Sequence, residues 1–387
     1  MSSATEPTVT SAPSPDEINA TYPGDLATPT PFVPMVVPLL LEVASNLVPW
    51  FQQEENTLLR FQDGLMPLMR ESLFYDLGVR VPQVRLRERT DWQDGTFVFS
   101  IFDVPVHTGQ VSPDLLLVGE RPERLASLDV EAQSTAHPAT GRLVSWVPRS
   151  FEDRIQPLHV PIWDAVDYLV LVMAVALRKH GSEFVGVEEV QAMMQLLEPA
   201  YPTLVREVRS RLSLPALRRV LRSLVREQFS ICNLRQILEV LLDASEVSQD
   251  TEFLVDSVRM DMRRYLTHRH SFVGRQVAVF TLSPELQAHL EVAFNNPTDE
   301  TVQQWAQPLC QAMYAEVAEL LANLPVETPN PALLCPPSVR RGLRRWLEVP
   351  FPFLHLLSWQ EIDPHYSVQV LAVLGAEVPD TSEASGD

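Results

Sequence analysis

The rhythm of apolar and polar residues changes four times along this chain. A β-like apolar run at residues 36–43 gives way to helical spacing over 54–75, with a stop at Gly78. From residue 84 to 146 the pattern is that of strands, with 96–102 dense in β-formers and Leu115–Val118 a short buried run. Residues 163–179 return to an apolar helix, and from Gly186 to about His268 the chain reads as almost purely helical. There, Ser213 followed by Pro215 gives a cap and first turn, with Leu217, Val220, Leu221 and Leu224 on one face. Ser230 is expected to cap the next helix, whose apolar face is Ile231, Leu234, Leu238, Leu241 and Leu242. A third helix follows Thr251, with Leu254, Val258, Met262 and Tyr265 at helical spacing. Short amphipathic helices of this kind are stable only when packed on one another. Beyond Phe272, strands and helices alternate: 277–280, a helix opened by Ser283-Pro284, 332–334, a helix capped by Ser338, then 353–357 and 366–374. That alternation predicts a small α/β layer.

The ends read differently. Residues 1–33 are rich in Ser, Thr, Pro and acidic groups without apolar periodicity, which predicts an extended linker. Residues from 378 to the end are small and acidic, a mobile tail by composition. With 387 residues the chain is too long for one ordinary core, so two to four subdomains are expected. A hydrophobic share of 45% beside 21% charged residues belongs to a folded globular chain. The formal charge of -20 argues against nucleic acid as the main partner. Neither of the most apolar stretches, 34–50 and 168–177, reaches the ~20 residues of a spanning helix, and the N-terminus lacks the basic start of a signal peptide. The chain is not expected to cross a membrane by itself.

Reactive chemistry is sparse. Lys179 is the only lysine, which leaves little room for Schiff-base chemistry. Cys232, Cys310 and Cys335 are far apart and form no C-x-x-C pair, so a reduced set with no zinc site is expected. No phosphate-cradling glycine loop, no G-x-S-x-G elbow and no H-E-x-x-H helix occurs. His268 and His270, two apart, do not converge on one helix face. Asn296-Pro297-Thr298 is ordinary turn chemistry. No catalytic residue, cofactor or metal is therefore assigned. Arginine placement says more: Arg218, Arg222 and Arg226 are four apart and line one side of a helix, followed by Glu227, Asn233, Arg235 and Glu239. A solvated face with ordinary surface pairs is one account of them; a basic face on an acidic protein, suited to a neighbouring copy, is the other. Arg340, Arg341, Arg344 and Arg345 are expected on a solvated helix face.

Five strings in register carry a resemblance. Leu77-Gly78-Val79-Arg80-Val81-Pro82-Gln83-Val84-Arg85-Leu86-Arg87 is similar to a helix-to-strand junction of the FHIPEP family, the export-gate proteins of flagellar and injectisome type III secretion. His137-Pro138-Ala139-Thr140-Gly141 with Trp146-Val147 resembles a loop and strand of that family, as do Glu188-Glu189-Val190-Gln191 with Tyr201-Pro202-Thr203-Leu204-Val205, the segment 221–239, and Leu357-Ser358-Trp359-Gln360-Glu361-Ile362. The last string lies nearer the injectisome branch.

The resemblance implies an α+β multi-subdomain fold of the family's cytosolic part. It has a thioredoxin-like α/β first subdomain (34–83 plus 152–181), an inserted small β-rich second (84–151), a helical third (182–268) and an α/β fourth (271–377). It implies a non-enzymatic docking platform, a nonameric homo-oligomeric ring at the cytoplasmic face of the bacterial inner membrane. Its implied partners are further copies of itself, export chaperone–substrate complexes, and the secretion ATPase stalk or gatekeeper proteins. The cleft motif of the family falls here on His137, Thr140 and Leu171, and Trp146 of the adjoining strand is expected in the same protein-binding wall; the basic-face account makes Arg218, Arg222, Arg226, Glu227, Asn233, Arg235 and Glu239 the expected ring interface. The family's membrane-embedded half has no counterpart here and is expected to have been excised or lost. The chain departs from the family at Ile231-Cys232-Asn233-Leu234, where an Arg-Asp pair is usual, and at the apolar Leu169-Val170-Leu171-Val172. The contrasting possibility is an enzyme with a site between subdomains, for which paired buried carboxylates would speak and apolar cleft walls would not.

Overall fold

The computed structural model describes residues 36–52, 60–272, 274–325 and 328–375. The expected linker 1–33, the tail 378–387 and the start of the 54–75 helix lie outside them. The described residues form two compact units, one from 36–71 with 80–113 and the other from 72–79 with 114–375.

In the first unit, strand β1 (Leu39–Ala44) sits between β2 (Arg85–Arg89), to which it is parallel, and β3 (Thr96–Ile101), to which it is antiparallel; β4 (Val104–Gln110) completes the sheet. Leu39, Leu41, Phe97 and Phe99 are fully buried and form its core face. Glu42 faces outward among Arg87 and Arg89, at 3.5 and 3.3 Å. Phe102 and Asp103, both left-handed, make the two-residue β3–β4 turn that matches the twist of the strands. The expected boundary at 83/84 thus runs through the middle of a sheet, because β1 needs hydrogen-bonding partners on both edges and finds them beyond it.

Helix α1 (Met66–Leu77) carries the chain between the units and stops at Gly78, φ +77°, whose N–H donates to Phe74 O at 2.7 Å. In the second unit, β5 (Leu115–Val118), β6 (Gln133–Ala136), β7 (Leu143–Pro148) and β8 (Ile162–Trp163) form an antiparallel sheet in the order β6-β7-β5-β8. One face buries Leu116, Val118 and Val147 against Leu125, Val130 and Ile155. Helix α2 (Ala165–His180) follows, capped by Asp164, which accepts from Asp167 N.

Helices then fill 187–269: α3 (Val187–Leu197), α4 (Pro202–Arg211), α5 (Leu214–Arg226), α6 (Leu234–Ala244), α7 (Thr251–Asp261) and α8 (Arg263–Arg269). Ser213 caps α5 as expected. The cap of α6 is Asn233 in place of Ser230, because Ile231 N is drawn to Leu77 O at 2.9 Å and the helix starts only after that turn.

The remaining layer is β9 (Ser271–Phe272), β10 (Gln276–Leu282), α9 (Pro284–Asn295), α10 (Glu300–Asn323), β11 (Ala332–Cys335), α11 (Pro337–Leu347), β12 (His355–Ser358) and β13 (Ser367–Leu374). Its strands run parallel in the order β12-β11-β10-β13, with β9 antiparallel beside β10. Leu286, Leu290, Leu309, Met313, Val317 and Leu343 from the helices pack on Phe280, Leu333 and Leu356. Ser283 caps α9; Ser338 does not cap α11, which opens with Pro337 at its first position, so that Ser338 Oγ instead donates to Glu291 at 2.9 Å. Among the described residues β13 pairs only with β10, and no described helix is long and apolar enough to cross a membrane.

A buried ion cluster joins the helical block to this layer. Arg259 grips Glu361 with two hydrogen bonds, 2.6 and 3.1 Å, and also approaches Glu227 at 3.2 Å. Arg340 adds contacts to Glu227, to Asp256 at 2.7 Å and to Glu361 at 3.7 Å. Arg340 and Arg344 are therefore buried, contrary to the expected solvated face. The carboxylates of Glu227, Asp256 and Glu361 surround Arg340, while Arg344 donates to the carbonyls of Leu354, at 3.0 Å, and Arg226, at 3.4 Å. Burial alone would raise the Glu361 carboxyl; the Arg259 and Arg340 charges and the Ser358 N–H overcome it and hold it at about 2. The His270 and His355 rings meet nearby at a tilt of 55°, centroids 4.4 Å apart.

Candidate functional site

The second sheet brings together several of the residues expected to line a protein-binding cleft. Antiparallel register places Trp146 of β7 opposite Leu117 of β5, and Leu117 opposite Trp163 of β8, so these side chains form one cross-strand row. Alternation sends them to the face opposite the Leu116 and Val118 core. Tyr168 on α2 meets Trp146 edge-on at 4.9 Å, and His137, just past β6, packs on Trp163 at 5.0 Å. Leu171 is half-buried and lies three residues beyond Tyr168, on the same side of α2.

The loop after β6 is tightly built. His137 N donates to Arg142 O at 2.8 Å, Gly141 N to His137 O at 2.9 Å, and Ala139 N to the His137 ring Nδ1 at 3.1 Å. The ring thus accepts through Nδ1; burial first, and the Arg142 charge second, keep its pKa below the ordinary histidine value. Burial likewise raises the Tyr168 phenol. Thr140 is half-buried, and its hydroxyl accepts from Arg142 N at 3.4 Å. Gly141 has φ +68°, and a Cβ there would lie 2.7 Å from the Phe353 ring. Arg142 reaches Pro325 O at 3.1 Å, Thr328 O and Asn330 Oδ1 at 3.0 Å.

The structure therefore gathers His137 and Trp146 with two aromatics that the sequence reading missed, Trp163 and Tyr168. Their signal was indirect: a tryptophan just before a helix cap, and a tyrosine in an otherwise aliphatic helix. Arg142 left no signal at all, since its acceptors are more than 180 residues away in sequence. An aromatic wall with one neutral imidazole and one hydroxyl is suited to apolar contact and a few hydrogen bonds. Among the described residues no group of three or more His, Cys, Asp or Glu could hold a metal ion.

The second expected site is on the helical block. The α5 face opposite the buried Leu217, Val220, Leu221 and Leu224 carries Arg218 and Arg222, half-buried, and Arg226, exposed. None of these guanidiniums pairs with a carboxylate among the described residues, and Arg218 Nε is buried without a hydrogen-bond partner. Asn233, Arg235 and Glu239 are exposed on the next helix and its cap. Arg235 bridges Glu239 at 3.0 Å and stacks on Tyr201 at 4.9 Å. Glu227 is the exception. It turns inward to Arg259 and Arg340, with a side chain 16% exposed, so it is engaged within its own chain and does not share the outward face.

A sequence profile of the FHIPEP family matches residues 6–367. Low calcium response locus protein D of Yersinia pestis is 24% identical over 337 residues, which is 87% of this chain and 47% of that protein. The chain thus spans about half the length of the curated relatives it matches. CdsV of Chlamydia pneumoniae, solved alone and in a complex with CdsO, superimposes with a TM-score of 0.75 at 25% identity, covering 89% of this chain and 99% of that structure when alone. The nonameric SctV-C of EPEC shares the fold, with a TM-score of 0.65 at 20% identity over 88% of this chain and 99% of that one.

Proposed function

Because this chain belongs to the FHIPEP family, we propose that it is the cytosolic docking platform of a type III secretion export gate. It assembles with copies of itself into a nonameric ring at the cytoplasmic face of the bacterial inner membrane and receives chaperone–substrate complexes for export. The row of arginines on α5 without a carboxylate partner among the described residues carries this reading. On a chain of formal charge -20, such a row is best satisfied by the acidic surface of a neighbouring copy. SctV-C of EPEC is nonameric, and CdsV of Chlamydia pneumoniae forms a complex with CdsO. By analogy, a stalk or gatekeeper protein of the secretion machinery is a further partner here. Reversing charge with Arg222→Glu plus Arg226→Glu is expected to weaken assembly in light scattering at rising concentration and leave the monomer folded; unchanged assembly would sink the ring-face assignment.

The wall of Trp146, Trp163 and Tyr168 with the loop 137–142 is the proposed chaperone–substrate cleft. Its aromatic side chains are of the types enriched at the cores of protein interfaces. Thr140→Asp adds a charge that must be desolvated on docking. Calorimetry with a cognate chaperone–cargo complex is expected to show weaker binding and an unaltered fold, and equal affinity would move the cleft elsewhere.

A further inference from the structure

We propose that the cavity between α6, α8 and the β9–β10 turn is a second docking site, one that takes an acidic peptide segment of a partner protein. The cavity measures about 700 Å³, within the range of built ligand pockets. Arg264 of α8 and Arg275 of the turn stand on its rim, both exposed, and neither pairs with a carboxylate among the described residues. The arginines around them are engaged: Arg259 holds Glu361, Arg269 caps Asp76 O, and Arg235 holds Glu239. The only carboxylate lining the cavity, Asp261, accepts from Gln236 Nε2 at 3.0 Å. Two guanidiniums against one carboxylate leave a net positive spot on a strongly acidic chain, and guanidinium matches carboxylate geometry in a two-bond fork.

Arg275 is also held in place. It follows Gly274 (φ +86°) in the turn between β9 and β10 and adopts φ +57°, a conformation in which asparagine or glycine would be easier. Its carbonyl accepts from Ser367 N at 3.1 Å, which fixes the turn to the start of β13. A left-handed arginine kept where it faces a cavity points to a use for its side chain. Apolar contact comes from Tyr265, braced edge-on by Phe229 at 5.8 Å, and from Tyr366, whose hydroxyl lies 3.1 Å from His268 Nδ1. Tyrosines beside arginines are the residue types that anchor protein interfaces. The occupant that fits is a peptide with carboxylates flanking an apolar side chain. This surface contains none of the α5 arginines and none of the 137–142 loop, so a failure to bind the peptide leaves those two assignments untouched.

The test uses the full chain and a fluorescent short peptide alternating glutamate and leucine, read by anisotropy. Saturable binding is expected, weakening as salt is raised. It should fall at least about tenfold in an Arg264→Gln plus Arg275→Asn variant, which keeps helix propensity at one site and left-handed backbone at the other. Thermal unfolding of that variant should match the parent. The proposal is overturned if the peptide fails to bind, if the double variant binds it as tightly, if a lysine–leucine peptide binds equally, or if equimolar inorganic phosphate displaces it.

Discussion

Glu361 and Arg259 are each 2% exposed, so neither can return to water when the other is removed. Breaking a buried pair leaves an uncompensated charge, and Glu361→Gln is expected to cost about 3–5 kcal/mol in denaturant unfolding. Removing Arg235, whose pair with Glu239 lies at the surface, should change stability little. The same neighbourhood sets an acid dependence. Glu361 is held at about 2 against 4.5 when unfolded, so its stabilisation is present above 4.5 and lost as pH falls toward 2. His270, pushed by burial, Arg269 and Arg259 from 6.5 to about 3, stays neutral in the fold, and stability falls as pH drops from 6.5 toward 3. His355 shifts in the same direction, chiefly through burial. Unfolding midpoints should therefore decline on acidification from 6.5, and a His355→Phe variant should decline less steeply there. None of this was legible at the residue scale. Arg340 and Arg344 have the spacing of a solvated face; distant carboxylates make the first interior, and the carbonyls of Leu354 and Arg226 take the second.

At the scale of the element, local chemistry was easier to read. Ser213-Leu214-Pro215 and Ser283-Pro284 each place a cap oxygen before a proline that fits the first turn, and both helices start there. Ser230 failed because a cap also needs its own backbone free, and the chain there is bonded to the end of α1. Asn233→Ala is accordingly expected to destabilise by about 1 kcal/mol, measured by thermal unfolding. Gly141→Ala is a harsher change, since it adds both left-handed strain and a contact with Phe353. A cost of about 1–3 kcal/mol is expected, together with loss of cleft binding as the 137–142 loop shifts.

Across the whole molecule, order along the chain was legible and pairing was not. Helical spacing over 187–269 and strand–helix alternation after it follow from local periodicity. The placing of β1 between β2 and β3, or of β8 beside β5, depends on edges that only tertiary structure brings together, and the aromatic row at Trp146 and Trp163 depends on the second of these. Among the described residues one side of β13 pairs with no strand, which carries a consequence for handling the protein in solution. Its residues, Ser367–Leu374, are all uncharged; Val370 and Val373 are exposed; and a bulge at Leu371 is the one device that disturbs the edge. Concentrated samples should therefore creep toward sheet-like aggregates that scatter light just as a ring would. A Val370→Lys variant is expected to lose the slow, heat-promoted component of that scattering and keep the fast, reversible one, which separates colloidal stickiness from assembly.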